Sequence, residues 1–249
     1  MDNSLLVSLS QQLAAYRSMD VIANNLANVS TAGYKRETAK FEEYMMQVAP
    51  SEGQTGPQTV SFVKDAGSSR DLSQGNIQDT GATYDLALNG KGFFAVQTAQ
   101  GIRYTRDGHF SLDGNGQIVT EQGYALQGDG GAITVTPNDT NIQVSKDGTV
   151  SSTVNGISNP IGKLQILDFA DGTRLTKLGD NLYNTDQSPI AANGITIRQG
   201  ALEASNVQPV VEITHMIEVM RAYQATASLS QSQEDLIRKA INQLGQIPN

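Results

Sequence analysis

Apolar residues recur every three or four positions at both ends of the chain and alternate with polar ones in its middle, so the hydrophobic pattern alone divides the sequence into parts. Near the N-terminus, Leu6, Leu9, Leu13 and Tyr16, then Met19, Ile22, Leu26 and Val29, place an apolar face on a helix starting near Ser4. Asn24, Asn25 and Asn28 lie toward its end, where each costs roughly 0.5 kcal/mol in helix propensity; the cluster predicts a side-chain role. At the other end, a second helical pattern carries Val210, Ile213, Ile217 and Met220 on one seam and Met216, Tyr223, Ile237 and Leu244 on an adjoining one. Ser205 or Asn206 is placed to cap this helix, with Pro209 in its first turn, where a missing N–H has no intrahelical partner to lose. No Pro or Gly then interrupts until Gly245, which predicts a rod of roughly 50 Å, a coiled-coil length. Each apolar stripe would be exposed in isolation, so the helices must pair with each other or with neighbours.

Between the helices the period changes. Glu37 to Val48, with Phe41, Tyr44 and Met45 on one side, reads as a short helical continuation ending by Pro50. From Pro50 to Gly81 the composition shifts to Ser, Gly, Gln, Thr and Asp, which predicts a linker or extended arm lying along neighbours. From Gly81 to about Leu182, alternating patterns and turn signals every eight to twelve residues predict an antiparallel β domain. Strands are expected at Phe93 to Val96, Arg103 to Arg106, His109 to Leu112, Gln117 to Thr120, Tyr124 to Gln127, Ile133 to Thr136, Ile142 to Ser145, Thr149 to Thr153 and Lys163 to Asp168, with Ile195 to Arg198 on the return. Asp107-Gly108 between two of them predicts a hairpin with a primed turn and a positive φ at Gly108. The expected fold class is α+β, with N- and C-terminal helices forming a coiled coil around an inserted, mostly antiparallel β domain. The expected boundaries are 1–34 and 206–249 for the helical domain, 35–80 and 190–205 for the linking arms, and 81–189 for the β domain.

Four strings in order then carry a resemblance: Ala23 to Arg36 (Ala-Asn-Asn-Leu-Ala-Asn-Val-Ser-Thr-Ala-Gly-Tyr-Lys-Arg), Asp85 to Phe94 (Asp-Leu-Ala-Leu-Asn-Gly-Lys-Gly-Phe-Phe), Tyr104 to Phe110 (Tyr-Thr-Arg-Asp-Gly-His-Phe), and Gly200 to Val207 with Arg221-Ala-Tyr223. Together they resemble the bacterial flagellar rod and hook family over nearly the whole chain. The Met-Asp-Asn start and the Ser205-Asn-Val-Gln-Pro-Val210 run are most similar to the proximal rod branch, ahead of the distal rod and the hook. The resemblance implies coiled-coil ends lining a tube that transmits torque and conducts export, with the β domain outward. It implies copies of the same chain and proximal and distal rod proteins as partners. It also implies delivery by the flagellar type III export apparatus, without a cleaved signal peptide, to the periplasm-spanning rod of the basal body. The candidate assembly interface is then Leu6, Leu9, Leu13, Tyr16, Met19, Ile22, Asn24, Asn25, Leu26 and Asn28 with Val210, Ile213, Met216, Ile217, Met220 and Tyr223.

Composition narrows the alternatives. Of 249 residues 38% are hydrophobic, below the usual share for a compact globule, which suggests that part of the chain packs elsewhere. The net charge of −8 with scattered Lys and Arg argues against nucleic acid as a partner. No run approaches the roughly 18 to 20 apolar residues of a membrane span, so no membrane insertion is expected. The N-terminus also lacks the basic region and apolar core of a secretory signal. There is no cysteine, hence no disulfide or thiolate metal site.

Candidate chemistry is thin. His109 and His215 have no His or Cys companions to suggest a metal. Asp113-Gly-Asn-Gly-Gln117 reads as a turn rather than a calcium loop, because Tyr124 stands where the bidentate Glu would be. Gly90-Lys91-Gly92 lacks the Walker spacing and reads as a glycine turn. Neither His has an acidic residue placed in sequence to mark a triad, and Asp107 and Asp113 occupy turn positions that Asp fills for backbone reasons. No catalytic residue, cofactor or metal is expected. The competing class, a cell-wall-acting enzyme or carbohydrate-binding β domain on a coiled coil, accounts only for the middle of the chain.

Overall fold

The computed structural model describes residues 3–48, 58–137, 139–154, 157–192 and 194–244. Helix α1 runs over Asn3–Ala27 and α2 over Pro209–Leu244. The first bond of α2 runs from Glu212 N–H to Gln208 C=O at 3.0 Å, so Pro209 is the first helical residue and Gln208 takes the capping position. Ser205 and Asn206 are therefore not the cap. The Ser205 hydroxyl accepts from Val207 N–H at 3.2 Å, and Asn206 Oδ1 accepts from Arg36 N–H at 2.7 Å.

Two compact units emerge, neither continuous in sequence. One comprises Met1–Ala27, Glu37–Ser69 and Gln208–Asn249; the other comprises Asn28–Arg36 and Arg70–Val207. In the first unit α1 and α2 lie against each other, and α1 also touches a two-stranded ribbon. That ribbon corrects the sequence reading. Glu37–Val48 is a strand, β1, and pairs with β2 (Gln58–Arg70). Phe41, Tyr44 and Met45 fit a helical spacing, but Thr38, Phe41, Tyr44 and Val48 also favour extended backbone, and a partner strand distant in sequence decides the outcome. The stretch expected to be a loose arm supplies that partner. The ribbon is tied to α1 by Val63 N–H on Ser10 Oγ (3.4 Å) and by the surface pair Arg17–Asp65 (3.2 Å).

In the second unit the strands are short and antiparallel: β3 (Ile77–Asp79), β4 (Leu86–Asn89), β5 (Phe93–Thr98), β6 (Gly101–Thr105), β7 (Phe110–Leu112), β8 (Ile118–Thr120), β9 (Ala125–Gly128), β10 (Gly131–Ala132), β11 (Thr140–Val144), β12 (Thr149–Val154), β13 (Ile157–Lys163), β14 (Ile166–Asp168), β15 (Thr176–Lys177), β16 (Leu182–Asn184), β17 (Ile190–Ala191), β18 (Thr196–Gln199) and β19 (Ala201–Glu203). The largest sheet follows the order β15-β16-β6-β5-β9-β8-β7, with β14 also on β5. Strand β5 is the centre, because both its faces are buried. Phe94 and Val96 enter a core with Leu86, Leu88, Phe110 and Leu126; Phe93 and Ala95 enter another with Tyr104, Phe169 and Tyr183. A strand buried on both faces reads as a continuous apolar run, as Phe93 to Val96 does. Several expectations shift: Ile133 to Thr136 holds only a bridge at Thr134, the strand expected at Lys163 to Asp168 divides between the end of β13 and β14, and β3, β4, β10, β15, β16, β17 and β19 lie outside the expected strands.

Asp107-Gly108 does not form the expected hairpin. β6 pairs with β5 and β16, not with β7, and Gly108 lies outside the positive-φ region. Gly108 is required for another reason: a Cβ there would sit 1.7 Å from the carbonyl oxygen of Leu86, whose own N–H donates to Gly108 C=O at 2.9 Å. Backbone approaches backbone too closely for a side chain. Gly108→Ala should therefore lower stability by about 1 to 3 kcal/mol, the usual range for overpacking, while Gly114→Ala, at a site with nothing within 4 Å, should be near neutral. Thermal unfolding followed by circular dichroism checks this, and equal midpoints for the two variants would refute the close-approach explanation.

Candidate assembly interface and the polar groups that frame it

The helix pair buries the poorer of its two seams. Buried and half-buried positions of α1 include Ser8, Gln12, Ala15, Met19, Ile22 and Leu26, spaced by fours and threes. Those of α2 include Glu212, Met216, Val219, Tyr223, Thr226 and Ser230, with the same spacing. Both series are rich in small or polar side chains. Among the described residues, Val21 and Ile22 are the only buried hydrophobic side chains of this unit. The outward series are richer: Leu6, Leu9, Leu13 and Tyr16 are 46 to 63% exposed, and Val210, Ile213, Ile217 and Met220 are 41 to 77% exposed. The sequence reading put all of these into one interface. The structure separates them into an inward set (Met19, Ile22, Asn25, Leu26, Met216, Tyr223) and an outward apolar set, with Asn24 exposed and Asn28 half-buried.

The asparagine cluster has the role its poor helix propensity suggested, concentrated in Asn25. Its Nδ2 donates to Glu37 C=O (2.7 Å) and to Glu212 Oε2 (3.1 Å), while its Oδ1 accepts from Glu37 N–H (2.9 Å). Asn25 and Glu212 are buried, so one amide joins α1, α2 and the start of β1 in a dry setting where an unmade bond would cost the full desolvation of the group. Asn28 closes the turn after α1 instead, its Oδ1 accepting from Thr31 Oγ at 3.2 Å.

In the second unit the remaining parts of the four motifs meet on one carboxylate. Glu203 is 2% exposed and takes Lys35 Nζ on Oε1 at 2.6 Å and Arg106 Nε on Oε2 at 2.5 Å. Oε1 also accepts from Gly75 N–H at 2.9 Å, and Lys35 donates further to Ser73 C=O at 2.7 Å. The guanidinium of Arg106 fills a cradle of carbonyls, Leu88 at 3.1 Å, Gly90 at 2.6 Å and Gly92 at 2.5 Å. Gly90 and Gly92 both have positive φ, which turns their carbonyls onto the cation. The Gly-Lys-Gly run thus binds a guanidinium with its oxygens; it is not a phosphate loop. Burial pushes the Lys35 pKa below its ordinary value and Arg106 adds to that push, while Glu203 opposes it. Sequence reasoning missed Glu203, Lys35 and Arg106, since isolated charges read as surface; the signal available was that each sits inside a motif string.

Other candidate chemistry finds structural uses. His109 Nδ1 lies 2.8 Å from Asp85 Oδ1, an acidic partner that sequence spacing did not reveal, at the bridge joining Asp85 to His109. Asp113 Oδ1 accepts the N–H groups of Asn115 and Gln117, both at 2.8 Å, and holds a turn. Burial raises the Asp107 pKa, partly offset by a bond from His109 N–H. Among the described residues no three potential ligands gather around a metal position.

Comparison with known proteins accounts for both ends and the middle. Residues 5–35 match the family described as flagella basal body rod protein, residues 87–152 the D1 domain of flagellar hook protein FlgE/F/G, and residues 198–244 the C-terminal part of flagellar basal body rod FlgEFG proteins. The flagellar basal-body rod protein FlgF of Caulobacter vibrioides is 42% identical over 99% of this chain and 100% of its own length. FlgG of Buchnera aphidicola subsp. Acyrthosiphon pisum is 38% identical over 95% of this chain and 97% of its own. FlgF of Mesorhizobium japonicum is 31% identical over 98% and 99%.

The carboxylate between two buried cations sets a clear order of mutational costs. Glu203→Ala leaves Lys35 and Arg106 without their counter-charge and should cost about 3 to 5 kcal/mol. Lys35→Met leaves a neutral Glu203–Arg106 pair and should cost clearly less. Urea unfolding of the β signal measures both, and a larger loss for Lys35→Met would contradict the assignment.

Proposed function

The chain belongs to the family of flagellar basal-body rod proteins, and from that premise we propose that it builds the proximal part of the rod, its terminal helices forming a coiled coil that packs against those of neighbouring subunits. It is a structural subunit, as its relatives are, and not an enzyme. The proximal position is supported by the FlgF relative of Caulobacter vibrioides, FlgF being read here as the proximal rod protein and FlgG as the distal one, because its identity exceeds that of the FlgG relatives. Copies of the chain, proximal and distal rod proteins, and the flagellar type III export apparatus are its partners. No helix among the described residues is long and apolar enough to cross a membrane.

The observation that carries this reading is the unspent apolar seam. Completing the burial of Leu6, Leu9, Leu13, Tyr16, Val210, Ile213, Ile217 and Met220 is worth on the order of 1 kcal/mol per side chain, before the entropic cost of association. Neighbouring helices in a helical array make heterologous contacts that repeat without closing, and an exposed seam along each rod-like helix suits such contacts.

Because the seam is exposed in the single chain, it can be altered without damaging the fold. Leu9→Asp with Leu13→Asp, or Ile217→Asp alone, should change the stability of the isolated subunit by less than about 1 kcal/mol. In assembly each carboxylate would be desolvated at a cost of several kcal/mol, so these variants should be absent from purified basal bodies and the cells non-motile. Normal incorporation and swimming would overturn the proposal.

A further inference from the structure

Beside the Glu203 cluster the second unit contains a cavity of about 360 Å³. Three of its lining residues are cationic, Lys35, Lys91 and Arg106, and one is acidic, Asp168. Lys35 and Arg106 are nine-tenths or more buried and share Glu203, so that trio carries one net positive charge; Asp71 also attracts Lys35 but is offset by Arg36, which acts on it in turn. Lys91 is exposed and Asp168 half-buried; they roughly cancel, so the cavity and the trio behind it carry a net charge of about +1 within a chain of net charge −8. Leu72, Phe93, Phe169 and Ala170 give the wall its apolar side chains, and Gly92 and Gly172 give it backbone. Phe93 and Phe169 are buried with ring centroids 6.0 Å apart, and Leu72 packs against the same core.

We propose that this cavity binds a monocarboxylate with an aromatic or branched apolar body. Its size falls in the range of small-molecule sites, and its lining divides between charged groups and apolar side chains. A concave wall with an excess of cationic groups focuses the field on a single anion. Phosphate and other polyanions fit poorly, because Arg106 already gives four of its five N–H groups to Glu203 and to three carbonyls and Lys35 gives two of three. Asp168 opposes a second negative charge. The carboxylate is held by the charge of the wall and by Lys91 at the mouth, and the body lies on Phe93, Phe169 and Leu72.

Such a carboxylate comes either from a free acid or from the C-terminus of a polypeptide ending in an apolar residue. Methyl NMR of the full chain, read at Leu72 and Ala170, tests both with 3-phenylpropionate and with acetyl-Ala-Ala-Phe. At least one should give saturable shifts with a Kd on the order of 1 mM or tighter, and the tighter of the two names the source. 3-Phenylpropanol, acetate and the peptide amide should each bind about tenfold more weakly or not at all, because each lacks the charge or the apolar body. Lys91→Glu, at an exposed position that leaves the fold intact, should weaken binding by about tenfold. The proposal is overturned if neither probe saturates by about 10 mM, if an uncharged analogue or acetate binds equally well, or if Lys91→Glu has no effect.

Discussion

Two helices joined by one contact can bury one seam each, and this chain has an apolar stripe on the side it does not bury. Ser8, Gln12 and Ala15 on α1, and Thr226 and Ser230 on α2, lie toward the inside, while Leu9, Leu13, Ile213 and Ile217 remain exposed. In water this arrangement is expensive for a monomer, since small and polar contacts replace the hydrophobic gain that usually holds a helix pair. Most of the strongly exposed large hydrophobic side chains belong to the helices and the β1–β2 ribbon. The unit reads as half of a packing arrangement whose other half comes from neighbours of the same family.

The second unit meets the opposite condition. It has two aromatic-rich cores either side of β5 and a carboxylate that gathers distant segments: Lys35 just after α1, Gly75 before β3, Arg106 after β6 and Glu203 at the end of β19. Buried ion pairs add little net stability but punish every arrangement that leaves one charge unpaired. Glu203 thereby penalises any arrangement of these loops that parts it from Lys35 or Arg106. The glycines at 90 and 92 serve the same end, because their positive φ turns their two carbonyls onto the guanidinium that Leu88 C=O also accepts from.

Elements whose signal is local were legible in the sequence. The two helices follow from apolar spacing, and β5, β6, β8, β9, β11 and β12 from short alternating or apolar runs between turns. What escaped depends on partners distant along the chain. β1 has residues that suit either a helix or a strand, and β2, across a gap in sequence, tips the balance. Gly108 looked like a turn glycine because Asp-Gly commonly is one; the Leu86 carbonyl that explains it lies more than twenty residues upstream. The helix faces were visible as apolar stripes, but which stripe points inward was not, because the inward side also carries polar groups, Asn25 and Glu212, that meet across the pair.

The central claim is that the outward seam is the surface on which subunits meet. The chain has no cysteine, so Leu13→Cys and Ile217→Cys each introduce a unique thiol on that seam. Maleimide labelling should be rapid in the isolated subunit and at least about tenfold slower in purified basal bodies, as expected for a side chain moved from solvent into a packed contact. A cysteine at Asn159, on exposed β13, provides the reference rate in each state. Equal protection factors at all three positions, or unchanged labelling of the seam thiols on assembly, would contradict the account.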